Sequence, residues 1–89
     1  MRHSPEVVAD MLMLNAADFY REEVAERVNQ EHGTNVSARD VGEVINQVEA
    51  EVKESGDYRG VVMSHIGRGL GANIGKESGV EVAALFSEF

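Results

Sequence analysis

Residues 37–54 read SARDVGEVINQVEAEVKE and show the clearest helical pattern in the chain. Ser37 and Asp40, three residues apart, match the pattern of a capping box at a helix start. The stretch therefore predicts an amphipathic α-helix over residues 37–54. Its apolar residues recur at the three- and four-residue spacing of one helix face: Val41, Val44, Ile45, Val48 and Val52.

Two further helices are predicted before this one. A helix over residues 5–16 is indicated because Ser4 is a favourable N-cap that precedes an apolar segment. Asp18 is placed to cap a second helix over residues 19–32, which Gly33 would end. A short turn then leads into the long amphipathic helix.

The chain after residue 57 allows two interpretations. Five glycines between residues 58 and 76 oppose a helix, because each costs about 1 kcal/mol relative to alanine in a helix interior. A glycine-rich wing loop after a strand over 58–64 therefore stays open, and alternating residues predict a short strand over 80–86. A fourth helix over 61–74 is favoured by apolar residues spaced four apart: Val62, Ile66, Leu70 and Ile74.

Length and composition bound the fold and the chemistry. A chain of 89 residues is expected to form a single domain over residues 1–89, mainly α, with three to four helices and a short C-terminal β element. The chain has no cysteine and only three scattered histidines, so neither a metal site nor a cofactor is expected. No grouping of Ser, His and Asp points to catalysis, and no small-molecule substrate is evident, so an enzyme is not expected.

The N-terminal sequence bears on location. The longest uninterrupted apolar run, Met11 to Leu14, is far shorter than the roughly 18 residues of a membrane span. The first residues, MRHSPE, contain no apolar signal core. A cytoplasmic protein without a membrane segment is therefore expected.

Charge is divided unevenly along the chain. Residues 1–57 contain 13 acidic and 5 basic side chains, whereas residues 58–76 contain three basic and no acidic ones. The whole chain carries a formal charge of −8, which disfavours contact with nucleic acid because phosphates repel an acidic partner. If the protein binds a polyanion, the segment 58–76 is the place where it does so.

Short motifs in the middle of the chain resemble small winged-helix proteins of haloarchaea. VSARDVG at 36–42 is similar to the turn and recognition-helix start of those domains, and FYREEVA at 19–25 resembles the preceding helix. SHIGRGLG at 64–71 with GVEV at 79–82 is similar to a helix and strand in related domains. The resemblance covers most of residues 19–82 and implies a helix-turn-helix or winged-helix fold, transcriptional regulation or another DNA-directed role, and no cofactor.

The chain departs from this pattern in its presumed recognition helix. Residues 37–54 carry a net charge of −3, which makes a poor reader of the major groove. The segment 59–76 is the better DNA contact, with Arg68 on guanine or a phosphate and with the others as phosphate or base contacts. The predicted nucleic-acid-binding residues are Arg59, Ser64, His65, Arg68, Asn73 and Lys76.

Two points stay open. The run Met11, Leu12, Met13 and Leu14 is apolar around most of a helix, which suits either a central core helix or the interface of a homodimer. The function expected from the sequence is that of a small homodimeric transcriptional regulator that binds duplex DNA through residues 59–76, and the alternative is a non-catalytic protein-interaction module that does not bind DNA. Such a module, for instance a viral assembly adaptor, would contact another chain through a helix that has glycines along one face and so allows close packing.

Overall fold

The computed structural model describes residues 2–71, and this part of the chain is mainly helical. Helix α1 spans Pro5–Ala16, α2 spans Arg21–His32 and α3 spans Ala38–Ser55. A fourth helix, α4, includes residues 58–71. Between residues 2 and 71 there is no strand, so the mainly α prediction is confirmed and the strand over 58–64 is wrong. The strand over 80–86 lies outside the described residues.

Side-chain caps fix the starts of α1 and α3 where the sequence places them. The Ser4 hydroxyl accepts a hydrogen bond from the Val7 amide at 3.4 Å. At α3, the Asp40 amide donates to the Ser37 hydroxyl at 3.1 Å, and the Ser37 amide donates to the Asp40 carboxylate at 2.9 Å. This reciprocal pair is a complete capping box, which satisfies amides that have no partner inside the helix.

Helix α2 begins two residues later than predicted because Asp18 does not cap it. Asp18 has a φ of 67°, the left-handed conformation that commonly ends a helix, and its amide donates to the Asn15 carbonyl at 3.0 Å. Asp18 therefore ends α1. The N-cap of α2 is Tyr20, whose side chain makes no capping hydrogen bond.

The turn between α2 and α3 is held by one asparagine. Asn29 Oδ1 accepts hydrogen bonds from the Thr34 hydroxyl and the Val36 amide, both at 2.8 Å, and Asn29 Nδ2 donates to the Val36 carbonyl at 2.9 Å. Gly33, with a φ of 65°, ends α2 as predicted. These contacts fix residues 33–37 between the two helices.

Helix α4 starts at residue 58, three residues earlier than predicted. Asp57 supplies the cap: its carboxylate accepts a hydrogen bond from the Gly60 amide at 3.0 Å, and its carbonyl accepts one from Val61 at 3.1 Å. A Cβ atom at Gly60 would collide with this carboxylate. One of the glycines that argue against a helix thus makes room for its cap.

The core lies between α1, α2 and α3, and α4 closes one side of it. Val61, Val62 and Ile66 of α4 are partly buried against the core. At Gly69 the backbone of α4 approaches α1 so closely that a Cβ atom would collide with the Pro5 carbonyl and the Ala9 side chain. The buried cluster consists of Val7, Val8, Met11, Leu12, Val24, Ala25, Val28, Val41, Val44, Ile45 and Val48.

Candidate functional site

Helix α4 separates the two arginines that were predicted to bind DNA. Arg59 and Arg68 are both exposed. They are nine residues apart, about two and a half turns of an α-helix, so their side chains leave opposite sides of α4. Ser64 is exposed and lies nearer to the side of Arg68. The predicted residues Asn73 and Lys76 lie outside the described residues.

His65 faces another helix and not solvent. Its side chain is buried, and Nε2 lies 2.7 Å from the Glu51 carboxylate of α3. The pair joins α3 to α4 across their interface. His65 therefore lies away from the exposed position that a contact with DNA requires.

Arg68 stands beside acidic groups. It lines a cleft of about 280 Å³ together with His3, Gln47, Glu51 and His65. A neighbouring cleft contains Arg68, Glu51 and Asp57. Because carboxylates close to a guanidinium reduce the local positive potential, this surface is weaker as a phosphate site than the sequence pattern of residues 58–76 suggests.

Most of the other arginines are paired with acids. Arg2 contacts Asp40 at 2.8 Å and Glu43 at 3.1 Å. Arg39 also contacts Glu43, at 3.5 Å. Arg2 thereby ties the N-terminal segment to the start of α3. The Ser37 backbone amide is the main cause that lowers the pKa of Asp40, and the Ser37 hydroxyl and Arg2 add to the effect.

The four residues of the predicted dimer interface differ in burial. Met11 is fully buried and Leu12 is nearly so, and both belong to the core of the single chain. They cannot contact a second subunit, and this part of the prediction is wrong because α2 and α3 cover that side of α1. Met13 is 38 % exposed and Leu14 is partly buried, so these two residues are the part of the run that reaches the surface.

Met13 and Leu14 line a groove with a volume of about 450 Å³. We call it the Met13 groove. Three elements meet in it, because α1 and α2 form its two sides and Leu70 of α4 reaches it from a third direction. Its apolar lining comes from Ala9, Met13, Leu14 and Leu70, and its polar lining from Glu6, Asp10, Arg27, Gln30, Glu31 and His32.

Two of the polar side chains in the groove are paired across it. His32 Nε2 of α2 lies 3.0 Å from the Asp10 carboxylate of α1. Arg27 lies over the Phe19 ring at 4.3 Å and contacts Glu23 at 3.4 Å. Among residues 2–71, Glu6 and Glu31 have no ion-pair partner. The sequence did not point to these two residues, and its one signal for the groove was the apolar run that contains Met13.

Within the described range, no three His, Asp or Glu side chains are grouped so that they could hold a metal ion. No helix between residues 2 and 71 is both long enough and apolar enough to cross a membrane. No protein-family model, curated protein or solved structure matches the chain. Residues 2–71 form a small helical domain with open grooves between its helices.

Proposed function

We propose that the protein is a non-catalytic protein-interaction module and that the Met13 groove is its contact surface. The observation that carries the proposal is the exposure of Met13 in a groove that Leu14 and Leu70 also line, where three helices meet. Methionine is a flexible and polarizable side chain that adapts to varied apolar partners. Apolar grooves with a polar rim are typical of surfaces that receive another protein.

The charge of the described helices supports a protein partner over a nucleic acid. Residues 2–71 contain 13 acidic and 7 basic side chains. The arginines of α4 point in opposite directions, and Arg68 shares its clefts with Glu51. A phosphate backbone near Arg68 would therefore also meet the carboxylates of Glu51 and Asp57.

Site-specific photo-crosslinking tests the proposal. Met13 is replaced by p-benzoylphenylalanine in the full chain, and the native host is irradiated. A protein adduct is expected at this position because the side chain faces the contact surface. The matched control carries the same substitution at Glu49, an exposed position on α3 outside the groove. The proposal is abandoned if no protein adduct forms at Met13, or if both positions give the same adducts.

Duplex DNA binding is a second candidate, favoured by one observation. Arg59 and Arg68 are exposed, and neither forms an ion pair with a carboxylate of residues 2–71. In this alternative, α2 and α3 form a helix-turn-helix of a transcriptional regulator, which acts as a homodimer. Arg59, Ser64 and Arg68 then contact DNA together with Asn73 and Lys76.

Salt titration of DNA binding tests this second candidate. The affinity for duplex DNA is expected to fall as salt rises, with a slope that decreases by about one unit for each phosphate contact removed. Arg68→Ala and Arg59→Ala are compared with Lys53→Ala, which removes an exposed cation from α3. Equal slopes for all three variants, or no binding at low salt, would exclude contact through α4.

A further inference from the structure

The Met13 groove is lined by both apolar and acidic side chains. Its exposed or partly buried apolar side chains are Met13 and Leu14 of α1 and Leu70 of α4, which we call the floor, and we call the polar lining residues the rim. Glu6 and Asp10 lie on the same face of α1 as Met13, because they precede it by seven and three residues. Apolar anchors with carboxylates beside them suit a helix whose apolar face is flanked by basic residues.

The rim has an excess of negative charge. Three carboxylates line the groove, those of Glu6, Asp10 and Glu31, against one guanidinium, that of Arg27. The Asp10 carboxylate is engaged by His32, and Arg27 already contacts Glu23 outside the groove. Glu6 and Glu31 are the rim groups left without an ion-pair partner among the described residues. A cationic side chain next to the floor would find an acceptor in either of them.

We propose that the Met13 groove binds a basic amphipathic helix of a partner protein, an inference that rests on the proposed function. Apolar residues on one face of the partner helix contact Met13, Leu14 and Leu70. Lysine or arginine residues that flank this face pair with Glu6 and Glu31. Opposite charges of this kind at a rim increase the association rate and select against acidic partners.

Charge argues against the other possible occupants. In a contact between two copies of the chain through this groove, both surfaces would carry the same excess of carboxylates, and such like-charge contacts are destabilising. The chain's own C-terminal residues 72–89 contain one basic and three acidic side chains, so they also repel the rim. Both occupants remain as outcomes of the test.

The probe is a synthetic Leu/Lys peptide of about 14 residues, with leucine at the i, i+3, i+4 and i+7 spacing of one helix face. Its matched control has every lysine replaced by glutamate. Binding to the full chain is measured by calorimetry and mapped by amide chemical shifts. The lysine peptide is expected to bind, to shift the amides of the groove and to weaken as salt rises, whereas the glutamate peptide is expected not to bind.

Variants test whether the peptide binds at the groove or is attracted to the acidic surface of the protein in general. Met13→Ala is expected to weaken binding about fivefold or more, as truncation of a central apolar anchor does. Tyr58→Ala, which truncates an exposed side chain elsewhere, is its control. Glu6→Gln combined with Glu31→Gln is expected to weaken binding and to flatten its salt dependence. Glu49→Gln combined with Glu54→Gln removes the same charge from α3. This variant is expected to change neither the binding affinity nor its salt dependence.

Several results would overturn the proposal. Equal weakening by the groove variants and their controls would mean that the lysine peptide binds any acidic surface. Self-association that Met13→Glu abolishes would assign the groove to a second copy. Tighter peptide binding by Leu85→Ser with Phe86→Ser would assign it to the chain's own C-terminal segment. If a protein crosslinks at Met13 but the glutamate peptide binds as well as the lysine peptide, the proposed function stands and this inference fails.

Discussion

Neighbouring residues on α1 have opposite environments, although they look alike in the sequence. Met11 is completely buried, and Met13, two positions later, is 38 % exposed. The two positions differ by about 200° around the helix, so one faces α2 and α3 and the other faces the groove. The run of apolar residues indicates a helix that is apolar around most of its circumference. Which of these side chains remains at the surface depends on how the other helices pack against it.

Truncation of the two methionines is expected to have very different effects on stability. Met11→Ala leaves a cavity in the core, and we expect it to lower the free energy of unfolding by about 2–5 kcal/mol. Met13→Ala is expected to change it by about 0.5 kcal/mol or less, because surface substitutions have small effects. Denaturant unfolding of both variants measures the difference. Similar losses for the two would contradict the burial of Met11 and the exposure of Met13.

At the scale of the helices, cap chemistry explains which predicted bounds are correct. The starts of α1 and α3 are confirmed because Ser4 and Ser37 make the side-chain hydrogen bonds that their sequence patterns indicate. The start of α2 is missed because Tyr20 gives no capping signal. The start of α4 is missed because Asp57 caps it through the Gly60 amide, and a glycine counts against a helix in propensity alone.

The Asp40 carboxylate in the capping box links the stability of α3 to pH. Hydrogen bonds from Ser37 lower the pKa of Asp40 below its ordinary value of 3.8 in the folded chain. A lowered folded-state pKa stabilises the fold above the unfolded value, and the contribution is lost as the pH falls through the folded-state value. Asp40→Asn is therefore expected to destabilise the protein at neutral pH, and the difference from the natural chain should shrink below pH 3.8.

Denaturant unfolding from pH 7 down to pH 3 measures this effect. Glu49→Gln removes one exposed carboxylate from the same helix and is the matched control. A difference between Asp40→Asn and the natural chain that stays constant over the whole pH range would contradict the role of the capping box.

The approach of α4 to α1 depends on Gly69. We expect Gly69→Ala to destabilise the protein by about 1–3 kcal/mol, because the new Cβ collides with the Pro5 backbone and the helices must separate. Gly71→Ala is the control: its Cβ would meet no atom of residues 2–71 within 4 Å, and alanine favours a helix by up to about 1 kcal/mol. Thermal unfolding compares the two variants. A stabilised Gly69→Ala variant would contradict the close approach.

At the scale of the whole molecule, the sequence predicts the mainly α class but not the groove. Periodicity and caps determine where helices form, and these signals are local. The groove exists because Leu70 reaches the side of α1 that carries Met13, which depends on contacts between distant parts of the chain. The burial of His65 against Glu51 has the same origin. Neither arrangement leaves a local pattern in the sequence.

The excess of acidic side chains makes the stability of the domain depend on salt. Repulsion among the carboxylates of residues 2–71 opposes the compact state, and salt screens it as the Debye length falls from about 10 Å at 0.1 M to about 3 Å at 1 M. The melting temperature is expected to rise by about 4–8 °C for each kcal/mol of repulsion that is removed.

Thermal unfolding between 0.05 and about 1 M sodium chloride measures this rise. Lys53→Glu adds negative charge to an exposed position of α3 and should steepen the dependence. The uncharged exchange Asn46→Gln, also exposed on α3, should leave it unchanged. A melting temperature that does not vary with salt would contradict a role for charge repulsion.

The two-residue link between α3 and α4, Gly56 and Asp57, has a kinetic consequence. Gly56 adopts a left-handed φ of 71° and Asp57 caps the next helix at once, so α3 and α4 are joined with almost no loop to close. The links between the other described helices are also short. Contacts between residues close along the chain form early, and proteins rich in them fold in microseconds to milliseconds. Helices joined by such short links are therefore expected to pack against each other early, which shortens the time during which their apolar side chains are exposed to aggregation.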